Sequence, residues 1–278
     1  MKVSRIYLYL LILSLVFTHN TNHQNENISL GRDSDPRTVD DIGFVKLLYK
    51  KAFWSTLSIL GPRNISKIAY PNSISYFDSN NSVAFTIDDG FCGLDNPKGD
   101  MTEDVRLLLD KYNANATFFV SGTHCAHTRV DIIKKLLNDG HELANHNLYD
   151  ISYSSHSSED FENDLLMTKE ILDQYTPNLS KWYRAPHASI NDSMHEIIKK
   201  HNLVHVIGDS FANDTSIPDA KWIAQFILKR VQPGSIIIIH MPEKGVREWN
   251  YEAMELILMG LKEKNLNVLN LTELDNLN

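Results

Sequence analysis

From Ser82 onward the chain alternates between two kinds of segment, and this rhythm constrains its fold more than any other feature. Short apolar, β-rich runs occur at VAFTI (83–87), ATFFV (116–120), HELANH (141–146), KWYRA (181–185), LVHVIG (203–208), SIIIIH (235–240) and LNVLNL (266–271). Between them lie amphipathic segments with helical spacing at 102–113, 129–139, 158–175, 191–202, 219–230 and 249–264. Thr102 and the Pro218-Asp219 pair read as helix starts, and Asp139-Gly140 and Pro233-Gly234 as stops before strands. Strand–helix alternation of this kind implies a parallel sheet. Seven strands make either an open sheet or an incomplete barrel. In both, the loops leaving the C-terminal strand ends gather on one face, where such folds place their sites.

The residues at those ends carry chemistry. The first strand finishes in TIDDG (86–90), two adjacent acids and a glycine. By itself that is an ordinary turn composition. The other ends add His146 and Asp150, Arg184 and His187, Asp209 and Asp214, and His240 after four isoleucines. Carboxylates, histidines and one arginine converging at one rim argue for a site. His146 and Asp150 are four apart, so a helical turn faces both to one point. With an acid from the first strand they make three ligands and leave open positions, the arrangement of a catalytic divalent metal. The doubled acid then divides its work: one member binds the metal and the other accepts a proton, with Arg184 keeping it ionised. His240, its ring held by Asp209 on the neighbouring strand, is placed to give a proton to a leaving group.

The remainder of the chain sets the context. Lys2 and Arg5 precede an apolar run from Ile6 to Phe17, a signal-peptide pattern over residues 1–20 that also fits an uncleaved anchor. Residues 21–39 read as a flexible stalk. Residues 40–80, with apolar positions between Ile42 and Leu60 at roughly helical spacing, read as a helical extension packed on the domain at 81–278. The route out of the cell makes the protein secreted or cell-surface, and several Asn-x-Ser/Thr sequons suit that route. A net charge of −8 argues against nucleic acid as a partner. Cys92 and Cys125 follow the first and second strands, whose loops rise from one rim, so a disulfide between them is expected.

Taken in order, these strand ends resemble the polysaccharide deacetylase family, carbohydrate esterase family four, in a branch whose second motif has the form H-x-x-x-D. The family's T-F-D-D-G appears as TIDDG, and its H-[S/T]-x-x-H falls on HNLYD (146–150). R-x-P-x-G falls on RAPHA (184–188), the Asp-based fourth motif on GDSFAND (208–214) and L-x-x-H on IIIH (237–240). The resemblance implies a distorted (β/α) barrel of about seven parallel strands. It implies removal of N-acetyl groups from N-acetylglucosamine polymers of the chitin or peptidoglycan type. It makes Asp88 the general base, Arg184 its holder, and Asp89, His146 and Asp150 the ligands of a divalent metal, zinc before cobalt or manganese. His240 becomes the general acid oriented by Asp209, and the His187 backbone N–H an oxyanion donor. Phe211 and Tyr149 lie near the rim, where aromatics stack on sugar rings and serve as candidate substrate-binding residues.

The chain departs from the family pattern at Asp150, where His is usual, at His187 and Ala188 in the third motif, and at Asn213 in the fourth, where Trp is usual. The partner implied is a polysaccharide or oligosaccharide, with a membrane involved only through an uncleaved anchor and no obligate protein partner. Two competing readings are a carbohydrate-binding pseudo-enzyme, which the altered motifs favour, and a metal-dependent amidase acting on a smaller C–N bond.

Overall fold

The computed structural model describes residues 43–57, 61–177 and 179–277. The expected leader (1–20) and stalk (21–39) lie outside the described residues. The strands are β1 (Ser82–Gly90), β2 (Ala116–Val120), β3 (Glu142–Asn145), β4 (Trp182–Tyr183), β5 (Val204–His205), β6 (Ser210–Phe211), β7 (Ile236–His240) and β8 (Asn267–Leu269). Seven of them run in the order β5-β4-β3-β2-β1-β7-β6, every named pair parallel, as a curled and incomplete barrel. β8 pairs with the start of β1 at Ser82–Ala84. The run LVHVIG supplies only β5, and β6 is a short strand that the sequence rhythm did not indicate, since two residues carry no period.

The helices are α1 (Phe44–Leu57), α2 (Pro62–Ala69), α3 (Thr102–Lys111), α4 (Val130–Asn138), α5 (Ser158–Asp173), α6 (Asp192–Lys200), α7 (Ala220–Leu228), α8 (Trp249–Glu263) and α9 (Leu271–Asp275). None of them is long and apolar enough to cross a membrane. Strand alternation sorts β1 into two faces. Val83, Phe85 and Ile87 point outward and pack with Val105 and Leu109 of α3, Ile223 and Ile227 of α7, and Ile257 and Leu261 of α8. Each such fully buried side chain contributes about 1.5–3 kcal/mol. Ala84 points inward, into a second cluster with Phe119, Ala144, Trp182, Val206 and Ile236, to which α9 adds Leu271 and Leu274. Thr86 and Asp88 continue that inward face towards the C-terminal rim.

The N-terminal segment closes the gap between the ends of the barrel. Ile74 bridges Val206 in parallel and Tyr76 bridges Ser235 in antiparallel sense. The Phe77 N–H donates to the Gly234 carbonyl at 2.9 Å. Gly234 has φ 81°, and a Cβ there would lie 1.9 Å from the Phe77 carbonyl oxygen, so only glycine fits. α2 locks the same region. Arg63 Nε donates to the buried Asp209 at 2.7 Å, its Nη2 to the Pro233 carbonyl at 2.8 Å, and its guanidinium lies over the Tyr76 ring.

The expected disulfide does not form: Cys92 and Cys125 are buried thiols that are not joined to each other. Their loops do meet, through the Cys92 N–H and the His124 carbonyl at 3.0 Å. The Cys92 sulfur, however, is turned to the Asn96 carbonyl at 3.2 Å and the Glu243 carboxylate at 3.5 Å. Burial pushes the Cys125 thiol up to about 12, which keeps it protonated. Under denaturing, non-reducing conditions two thiols per chain react with a chromogenic disulfide reagent; one or none would restore the cross-link.

His141, at the entrance to β3, accepts the Ala116 N–H on Nδ1 at 3.1 Å. Burial lowers its pKa from 6.5 to about 4. The unfolded chain therefore binds this proton first as pH falls, so the stability due to neutral His141 is complete above pH 6.5 and is lost towards pH 4. The loss amounts to about 3 kcal/mol. Thermal midpoints measured across that window fall with pH, and His141→Gln, which keeps an acceptor without the titration, flattens the slope.

Candidate active site

Adjacent residues on an extended strand point to opposite faces, so Asp88 and Asp89 should not share a site. The backbone resolves this at one residue: Asp89 adopts φ 58°. A non-glycine residue in the left-handed region is strained, and such strain concentrates at functional positions. The turn brings both carboxylates of TIDDG to the inner rim. Both are buried, as are His146, Asp150, Arg184 and Asp214.

Asp89, His146 and Asp150 converge, with one potential ligand atom from each lying within 4.8 Å of the others. The His146 ring is oriented by its Nδ1–H, which donates to the Arg184 carbonyl at 2.8 Å and turns Nε2 towards Asp89 Oδ1 at 3.5 Å. An Nε2 lone pair facing two carboxylates is the donor set of a divalent cation. Burial, and then the like charge of Asp89, push the Asp150 pKa up. Burial would also raise Asp89, but the neighbouring Arg247 above all holds its carboxyl well below the usual range. Two carboxylates facing one ring nitrogen carry an electrostatic cost that a cation at their centre relieves. The residues fit a metal.

The candidate base and acid flank this cluster. Arg184 Nη1 donates to Asp88 Oδ1 at 2.5 Å and to Thr86 Oγ1 at 2.8 Å. Its guanidinium rests on the Phe119 ring, 4.0 Å from the centroid. Asp88 stands opposite His240 in the β1–β7 register. His240 Nδ1 faces the Asp214 carboxylate at 3.0 and 3.1 Å, and its backbone N–H donates to Asp214 at 2.8 Å. Burial alone would lower the His240 pKa. Asp214 outweighs that, Asp89 and Asp88 add to it, and the group is carried up to about 10.

Asp214, not Asp209, therefore orients His240. Asp209 binds the Ile236 N–H at 3.1 Å, Ser235 Oγ at 3.1 Å and Arg63. That puts it at the start of β7, and His240 stands about 13 Å further along the strand. The chain must run on from β6 to Asp214 to reach the rim. Asn250 Nδ2 completes the arrangement, donating to Asp214 at 2.8 Å and to the His240 carbonyl at 3.0 Å.

The remaining expected residues are placed as follows. His187, at φ 56°, brings its Nε2 to 3.3 Å from both the carboxylate and the backbone carbonyl of Asp150. Ala188, at φ 52°, occupies a left-handed position that glycine adopts without strain. Phe211 packs edge-on against Trp54 of α1 at 5.7 Å. Tyr149 is half-buried, and its backbone N–H donates to the Tyr153 hydroxyl at 3.2 Å.

Sequence reasoning missed Arg247, Asn250 and His124. Arg247 Nη1 donates to Asp89 Oδ2 at 2.6 Å, and His124 Nδ1 lies 3.0 Å from the Asp89 carbonyl. Arg247 sits between the last motif and α8, and Asn250 in the first turn of α8, where no strand end marks them. His124 lies in the turn after β2, beside the cysteine that drew attention instead.

The polysaccharide deacetylase family model matches residues 77–206. A chitooligosaccharide deacetylase of Sinorhizobium fredii is 31% identical over 160 residues, covering 57% of this chain and 71% of the relative. A peptidoglycan-N-acetylglucosamine deacetylase of Bacillus cereus is 27% identical over 200 residues, covering 72% and 70%. The crystal structure of a carbohydrate esterase family four pseudoenzyme from Bacillus anthracis superposes with a TM-score of 0.63 at 22% identity, covering 73% of this chain and 69% of that one.

Replacing Asp214 with Asn removes the charge that raises His240, so the basic limb of the pH–rate profile moves to lower pH and turnover falls about a hundredfold. Asp209→Asn leaves that limb in place and lowers the thermal midpoint instead. The reverse pattern would return the orienting role to Asp209.

Proposed function

The chain belongs to the polysaccharide deacetylase family, carbohydrate esterase family four, and from that premise we propose that it is a metal-dependent N-deacetylase of N-acetylglucosamine polymers. One observation carries the reading. A carboxylate held by an arginine (Asp88–Arg184, 2.5 Å) and a histidine held by a carboxylate (His240–Asp214, 3.0 Å) stand opposite each other beside an Asp-His-Asp cluster. Asp89, His146 and Asp150 would hold the metal, zinc before cobalt or manganese. When bound, the metal acts as a Lewis acid on the acetamide carbonyl and the attacking water.

Each protein group then has one task. Arg184 occupies Asp88 Oδ1, and Oδ2 accepts the proton of the attacking water. The His187 backbone N–H would donate to the developing oxyanion, a contribution of about 3 kcal/mol for a well-placed donor. His240, its Nδ1–H on Asp214, gives the Nε2 proton to the departing amine. Atoms balance as acetate and a glucosamine unit. The basic leader and the sequons support a polymer outside the cell as substrate, and chitin-type and peptidoglycan-type chains both supply the required acetamide.

A second reading, a carbohydrate-binding pseudo-enzyme, takes support from the solved pseudoenzyme and from Asp150 at a ligand position. The complete base and acid pairs oppose it. Acetate release from acetylated chito-oligosaccharides and peptidoglycan fragments, with zinc or cobalt added, separates the two. The wild-type chain releases acetate and a chelator abolishes it. Asp88→Ala and His240→Ala each lower turnover by about two to four decades. Near-native rates in either variant would sink the assigned roles, and a silent wild-type chain would favour the pseudo-enzyme.

A further inference from the structure

Asp89 presents its two oxygens to different partners. Oδ1 faces His146 Nε2 at 3.5 Å, and Oδ2 is taken by Arg247 Nη1 at 2.6 Å. Arg247 is buried and held in the left-handed region at φ 51°, an unfavourable backbone for any residue but glycine that its surroundings must enforce. Its loop is fastened on both sides. Glu243 and Val246 bridge each other, and Glu243 accepts from Asn96 Nδ2 at 3.0 Å in the loop after β1. The guanidinium is thus built into the back of the cluster. It is a permanent cation that cannot lose its proton.

The charges explain why a cation belongs there. Two carboxylates and a neutral imidazole cancel a divalent ion completely, which would leave the site without the positive potential that stabilises an anionic transition state. One arginine behind a ligand restores one unit of positive charge. It also fixes the ligand as a one-oxygen donor, because the second oxygen is engaged. Resting on the metal-dependent reading above, we propose that Arg247 is the positioning residue of the metal centre. It reserves Asp89 Oδ1 for the ion and supplies the positive charge that the carboxylate of Asp150 takes away.

The test uses the full chain and zinc, with a chromogenic chelator as competitor and no substrate present. Arg247→Gln keeps a hydrogen-bond donor without the charge, and Arg247→Lys keeps the charge without the planar fork. The proposal expects Arg247→Gln to hold zinc about tenfold more tightly, because a neighbouring cation no longer repels it, and Arg247→Lys to stay within about threefold of the wild type. With an acetylated chito-oligosaccharide, kcat of Arg247→Gln falls about tenfold at unchanged KM, and Asp150→His in the same chain recovers most of it. Weaker zinc binding in both variants, with a lower thermal midpoint, would make Arg247 a brace for the loop and overturn the proposal. Zinc uptake by Arg247→Gln but not by the wild type would also overturn it, since the guanidinium would then replace the metal. Zinc taken up by no form of the chain would remove the metal reading itself.

Discussion

A carboxylate taken out of water must meet a positive charge or a set of donors, and the rim of this barrel meets that demand four times within a few residues. Asp88 is answered by Arg184, Asp89 by Arg247, Asp150 by His187 and Asp214 by His240. The partners come from separate stretches of the chain, and only a sheet whose strands all end on one side can assemble them. The charge pairing also sets rotamers. A carboxylate gripped at one oxygen offers the other in a defined direction, which is how Asp88 and Asp89, neighbours in sequence, serve different purposes.

The fold was largely legible because strand–helix alternation is a strong signal and each buried strand of β1–β3 and β7 has at least four residues. β6 was not legible, since a two-residue strand is defined by its pairing with Ile237 and Ile238 and not by its own sequence. At the site, the strand ends named Asp88, His146, Arg184 and His240, and the structure brings these together. The error at Asp209 has a geometric origin. Both acids of GDSFAND follow a strand, and sequence order does not reveal that the first stays beside the start of β7 while the second reaches its end. Arg247 was invisible for a related reason. It sits in a loop with no periodicity, and arginines in loops are mostly solvated. The expected disulfide failed on direction, not distance along the fold: the loops touch through backbone while the Cys92 sulfur points elsewhere.

The histidines show how the same side chain takes different states in one molecule. His141 is buried beside backbone and stays neutral, whereas His240 is ringed by acids and stays charged. His146 is turned by the Arg184 carbonyl so that its Nε2 faces the acids. Environment, not residue type, sets which of these rings is neutral and which is charged.

The clasp of Arg63 on Asp209 has a consequence for the order of assembly. It spans 146 positions, and the companion bond to the Pro233 carbonyl spans 170. A segment synthesised near the beginning of the chain therefore has to wait for β7 before it can be seated. Until that happens the acid is exposed to water and two strand flanks lack their neighbour, a situation that invites association between incomplete chains. The seam of the barrel is thus the last edge that the N-terminal segment covers.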